Sequence, residues 1–214
     1  TGNRNIYYLI AFSLLIQLTA LPILDLGEWD ERFHANVAKN LIDNPLKPVL
    51  INDGILDLGK TDWSQTEIWL HKPPLALWFM AGGIKIFGTN ELGVRFFSVI
   101  FSLFSIYFVY CIGRTLFAPQ IGLTCALLYS INGLVYEVTS GRLAGDHVDA
   151  LFLFLVQLII FCVIDLKKNY TTSKLLVIGL LTGLAFMTKW TMVLFILPVV
   201  ASTLLFMNRS IVSV

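Results

Sequence analysis

Apolar runs separated by short polar breaks make up most of this chain, but one polar stretch is far longer than the others. Crossing a hydrocarbon core takes about 20 helical residues. Six runs approach that length: 6–24, 92–113, 119–138, 148–165, 174–188 and 190–207. The fifth is short and carries Gly179 and Gly183, a spacing suited to close helix packing. Residues 74–87 are apolar over only about 14 positions, which suggests an interfacial or re-entrant helix. Pro73-Pro74 is suited to opening it. Between the first and second runs lies the polar segment 25–91. Within it, Phe33, Val37, Ala38 and Leu41 recur at helical spacing from Asp30 to Ile42, predicting an amphipathic helix lying on the membrane that Pro45 and Pro48 end. Residues 49–71 carry Asp53-Gly54 and Leu58-Gly59 turn signals and read as an irregular loop. The pattern predicts an all-α polytopic membrane protein of about six transmembrane helices, with a long first extracytoplasmic loop that carries amphipathic helices.

Composition agrees. Hydrophobic residues make up 57% of the chain and the mean hydropathy is +0.77, far from an ordinary soluble domain. A net charge of +1 with no basic cluster gives no support for a nucleic-acid partner. Cys111, Cys125 and Cys162 all fall inside apolar runs and form no CxxC, so they read as small buried hydrophobes. The first run is too long for the core of a signal peptide and is expected to be retained. The chain begins at Thr1 and stops just after an apolar run, as a piece of something longer would.

Lysine and arginine placement sets the orientation. With the N-terminus cytoplasmic, Arg4, Arg114, Lys167, Lys168, Lys174 and Arg209 lie inside, and the short outer loops keep Arg142 and Lys189. The acidic residues then segregate. Of 14, ten lie between Asp25 and Glu91; Glu137, Asp146 and Asp149 fall at outer ends of spans, and Asp165 is cytoplasmic. Lys72 is also outside. This asymmetry favours a working face on the extracytoplasmic side.

That face offers several candidates. Asp30 and Glu31 start the amphipathic helix. Adjacent positions point in different directions, so one carboxylate can favour the helix N-terminus while the other faces a site. Lys72 stands where the chain re-enters the apolar phase. An ammonium there either binds a lipid phosphate at headgroup level or snorkels as an anchor. His71 is a possible metal ligand or an interfacial polar residue, with no second histidine at ligand spacing. Asp146 and Asp149 are three apart, hence on one face of the fourth span, with Arg142 just before them. Lys189 lies between the fifth and sixth spans with almost no loop to carry it, as a site cation or another anchor.

Taken in order, these segments resemble a family. Asp30-Glu31 follows the first span, Lys72-Pro73-Pro74-Leu75 comes about 40 residues later, and Phe87-Gly88-Thr89-Asn90-Glu91-Leu92-Gly93-Val94-Arg95 precedes the second span. Gly141-Arg142-Leu143-Ala144 leads to an aspartate before the fourth span, and Gly183-Leu184-Ala185-Phe186-Met187-Thr188-Lys189 follows the fifth. The chain is similar to the N-terminal half of a GT-C glycosyltransferase, of the type that includes protein O-mannosyltransferases and lipid A aminoarabinose transferases. The resemblance covers residues 6–207, and on it residues 1–214 are the N-terminal transmembrane part of such an enzyme, with 25–91 as its first extracytoplasmic loop. Two departures stand out. The family often has a glutamate where this chain has His71, and both Asp146 and Asp149 stay open as the family's aspartate.

The resemblance implies a sugar donor linked to a polyprenyl phosphate, inverting transfer on the outer face of a bacterial inner (plasma) membrane, and a protein, lipid or glycan acceptor. It implies Asp30 as general base with Glu31 assisting, and Lys72, with Arg142 or Lys189, as cation for the departing phosphate. A divalent metal is compatible with this chemistry but not demanded by the sequence. A membrane transporter or lipid flippase, or a non-catalytic membrane scaffold, are the competing classes. A transporter would place ionisable residues along span centres, whereas Gln17 and Gln157 there are neutral.

Overall fold

The structure is a computed structural model that describes residues 2–20, 25–51, 68–140 and 148–202. Its described part is built from helices: α1 (Gly2–Ala20), α2 (Asp30–Leu41), α3 (Leu75–Phe87), α4 (Glu91–Leu116), α5 (Pro119–Ser130), α6 (Gly133–Thr139), α7 (Val148–Lys168) and α8 (Thr172–Phe186), followed by a 3₁₀ turn (Thr191–Phe195). The amphipathic helix expected from Asp30 onward is α2. Glu31, His34, Val37, Ala38 and Leu41 form its buried stripe, the i, i+3, i+4, i+7 pattern of a helix packed on one side.

By length and apolarity, α4 and α7 qualify as membrane crossings. The third expected span is two helices, α5 and α6, bent by 58° at their junction, and counts as a third crossing if the pair is one broken span. Asn132 makes the break: its side chain accepts hydrogen bonds from Leu134 N–H and Val135 N–H and so starts α6 afresh. In α1, Asn3, Arg4 and Asn5 dilute the apolar content of 19 residues. The apolar helices α3, α8 and Thr191–Ser202 are shorter than a crossing.

The long helix α4 organises the rest, packing against α1, α3, α5 and α7. One apolar core joins α4 to α7 and α8 through Phe101, Leu151, Leu155, Ile159 and Ile178. A second joins α2 to α3 through Val37, Leu41, Leu77, Met80 and Trp69. A third joins α1, α4 and α5 around Ile6, Ile106, Tyr110 and Ala126. In mid-span, Gln17 Nε2 of α1 donates to Ser102 Oγ of α4 at 3.2 Å.

Close helix approach occurs at glycines other than those the sequence pattern singles out. A Cβ on Gly83 would sit 2.2 Å from the carbonyl oxygen of Gly93, and one on Gly122 would sit 2.6 Å from that of Tyr110. The α3–α4 and α4–α5 contacts therefore exclude any side chain there. Around Gly179 and Gly183, by contrast, no atom of another described segment lies within 4 Å of where a Cβ would be. The expectation that this pair forms a packed interface is not met among the described residues, because α8 turns its Ile178 and Ala185 face to α7 instead.

Candidate active site

The loop that carries Lys72 is pinned at several points. Asn40 Nδ2 on α2 donates to Val49 O at 2.8 Å, Trp69 N–H donates to Pro48 O at 2.9 Å, and Trp78 Nε1 on α3 donates to Pro45 O at 2.7 Å. Val49 and Ile68 form an isolated bridge that closes the loop, whose interior lies outside the described residues. Trp69 is the plug of this assembly. Fully buried between α2 and α3, it stacks on Phe33 and meets the rings of His34 and His71 edge-on. Five residues after Trp69, Pro74 occupies the N-cap position of α3, and Leu75 N–H donates to Met187 O at 3.2 Å. That bond ties the start of α3 to the end of α8, so segments far apart in sequence meet at one end of the helices.

The carboxylate pair at the start of α2 divides between two environments. Asp30 is partly exposed, and its Oδ2 lies 3.6 Å from Lys72 Nζ. Glu31 is buried against Arg95. Lys189 forms an ion pair with Asp149, joining the end of α8 to the first turn of α7. His71 is exposed beside Trp69. Of the sequence candidates, the structure thus brings Asp30 and Lys72 together in one pair and Asp149 and Lys189 in another, both at the α3–α8 junction end. Arg142 and Asp146 lie outside the described residues. Among the described residues, no three His, Cys, Asp or Glu side chains gather as a metal site.

Beside Lys72 runs a cleft of about 250 Å³. Pro48, Trp69, Leu70, Pro73 and Pro74 form one wall, and Phe186, Met187 and Trp190 the other. An ammonium at the edge of an apolar groove suits a ligand with an anionic head and a hydrocarbon tail. Arg95 is the residue that sequence reasoning passed over. The usable signal was a charge on an apolar helix, which burial makes costly unless a carboxylate answers it. Glu31 is that carboxylate.

Comparison with known proteins places this geometry in context. The sequence pattern of the family described as dolichyl-phosphate-mannose-protein mannosyltransferase matches residues 71–214. An undecaprenyl phosphate-alpha-4-amino-4-deoxy-L-arabinose arabinosyl transferase from Pseudomonas paraeruginosa is 29% identical over 85% of this chain and 31% of its own length. A second transferase of the same description, from Pseudomonas fluorescens, is 31% identical over 56% of this chain and 22% of its own. An uncharacterized protein of Aquifex aeolicus is 28% identical over 82% of this chain and 33% of its own. The chain therefore spans about a third of the length of the first of these curated relatives. No solved structure matches it. The match runs through Lys72, Asp149 and Lys189 and covers more than half of the sequence, so this membrane protein belongs to the dolichyl-phosphate-mannose-protein mannosyltransferase family.

Proposed function

We propose that this chain supplies the donor side of a membrane glycosyltransferase that moves a sugar from a polyprenyl-phosphate carrier to an acceptor on the outer face of a bacterial inner membrane. The observation that carries it is the Asp30–Lys72 pair at the edge of the apolar cleft. The two are in contact here, and a donor sugar that enters between them has the base on one face of its anomeric carbon and the cation on the other, at the two ends of one displacement.

Asp30 takes the proton of the acceptor hydroxyl as that oxygen attacks the anomeric carbon. The new C–O bond forms on the face opposite the phosphate, so the configuration inverts. The bond from the anomeric carbon to the phosphate oxygen breaks, and its electron pair goes to the phosphate. The donor's phosphodiester becomes a monoester with a second negative charge, which the Lys72 ammonium stabilises. Asp30 then releases its proton to solvent. Trp69, Phe186, Met187 and Trp190 receive the first part of the prenyl chain. Lys189, held by Asp149, and Arg142 are the further cations on this face, and Asp146 or Asp149 is its further carboxylate. In this reading the apolar runs of the sequence supply about six crossings, and α2 and α3 lie at the outer surface. A transporter would instead line its span centres with charge, whereas the mid-span polar contact joins two neutral groups, Gln17 and Ser102.

The test replaces the base. In membranes containing the complete gene product, Asp30→Asn should bind a polyprenyl-phosphate sugar normally and transfer it at least about 100-fold more slowly, the usual scale for a lost general base. Transfer at the normal rate would remove Asp30 from the chemistry.

A further inference from the structure

Arg95, in the second turn of α4, is fully buried and reaches two separate segments of the chain. Its Nε donates to Glu31 Oε1 at 2.6 Å and its Nη2 to Glu31 Oε2 at 2.9 Å. The same Nη2 also donates to the main-chain carbonyl of Asp25 at 3.0 Å. Glu31 Oε2 accepts a further bond from Gly27 N–H at 2.7 Å. With both oxygens occupied and the group buried, the Glu31 carboxylate turns away from the cleft. Its neighbour Asp30 is the carboxylate left facing Lys72.

A buried ion pair by itself says little about stability, since apolar replacements of similar volume are often neutral or better. What this one supplies is geometry. A planar guanidinium that grips a carboxylate on α2 and a backbone carbonyl five residues before Asp30 closes 25–31 against α4 as one piece. Lys72 refers to the same helix by another route. Its loop runs directly into α3, and α3 lies against α4 at the Gly83–Gly93 contact. Near that contact, Asn90 also links the helices: it accepts from Gly93 N–H and donates to Phe87 O, both at 2.8 Å.

We propose that Arg95 is a positioning residue for the transfer reaction: acting through Glu31, it sets the first turn of α2 on α4 so that Asp30 stands opposite Lys72. This rests on the reading of the Asp30–Lys72 pair as the reaction centre. Reacting groups must be held to within about 0.5 Å, and a misplacement of about 1 Å can lower turnover about 100-fold.

The experiment uses the complete gene product with three variants: Arg95→Lys, Glu31→Gln and the apolar pair Arg95→Met with Glu31→Met. Turnover is counted per donor-binding site, so that loss of folded protein does not register. Each variant is also built on Asp30→Cys with Lys72→Cys, all native cysteines replaced, and the rate of joining by a short bifunctional thiol reagent is measured. Expected are donor affinity within about threefold of wild type, turnover per site lower by about 100-fold, and slower cross-linking in all three. The apolar pair should recover normal thermal stability without recovering turnover or cross-linking. Full turnover in the apolar pair, or an unchanged cross-linking rate, would overturn the proposal. If Asp30→Asn transfers normally, the reaction-centre reading fails instead, and cross-linking still reports whether Arg95 sets the spacing.

Discussion

Replacing Lys72 by methionine removes the ammonium and keeps much of the apolar stem, so it separates charge from packing. In the ground state the donor carries a phosphodiester with one negative charge. A charge-assisted hydrogen bond to it is worth about 1.5–3 kcal/mol. Lys72 keeps 19% of its side chain exposed, so water screens part of this and the lower end applies. About 1.4 kcal/mol is a factor of ten in affinity, and donor Kd should rise about tenfold. As the phosphate leaves it gains a second charge. Loss of one preorganised donor at such a point costs about 2.7–4 kcal/mol, or about 100- to 1,000-fold in kcat. Donor binding by titration and single-turnover transfer of a labelled prenyl-phosphate sugar measure the two quantities separately. Because Asp30 Oδ2 is only 3.6 Å from Lys72 Nζ, some of the loss can arise through the base. Combining Lys72→Met with Asp30→Asn apportions it, since a loss transmitted wholly through Asp30 makes the double variant no slower than Asp30→Asn alone. Lys72→Arg keeps the charge in a different shape and should retain affinity better than turnover. Affinity and kcat both within threefold of wild type in Lys72→Met would refute a phosphate contact. A weaker Kd with unchanged kcat would leave the contact and refute stabilisation of the leaving group.

Three further outcomes follow from the packing and the charge pattern. Trp69→Ala should lower stability by about 3–5 kcal/mol, the range for emptying a large aromatic site, read as a fall in melting temperature in detergent; an unchanged melting temperature would mean that Trp69 does not hold the loop. Gly83→Val should fail to give a monodisperse protein, because the added Cβ would meet Gly93 O at 2.2 Å, whereas Gly179→Ala should behave as wild type on size-exclusion chromatography; equal behaviour of the two would refute the α3–α4 contact. With the native cysteines replaced, Asn44→Cys should label with a membrane-impermeant thiol reagent from outside the cell and Asn169→Cys should not, and the reverse pattern would overturn the orientation.

Much of the architecture was legible in the apolar pattern, because crossing length and helical period are local properties of a chain. The extents of α2, α3, α4, α7 and α8 agree with the segments read from hydropathy to within a few residues at each end. Asn132 broke the third run into α5 and α6 through a cap that a hydropathy average cannot register. The Gly179–Gly183 spacing meets no close neighbour among the described residues for a related reason: a motif states that a backbone can approach closely, while the neighbouring helix decides whether it does.

For the site, the sequence by itself determined which ionisable groups share a face and, through the order of its motifs, the family the chain resembles. Adjacent positions on a helix had to diverge, so one member of Asp30–Glu31 was bound to face away from the other. Which one turned inward was decided only when α4 brought Arg95 to Glu31 across a sequence separation of 64. Likewise Lys72 met Asp30, and Lys189 met Asp149, only because Trp69 anchors its loop and Leu75 bonds to Met187. Charge pairing is a property of distance and burial, and both come from tertiary packing. A sequence lists the possible partners; the packed helices choose among them.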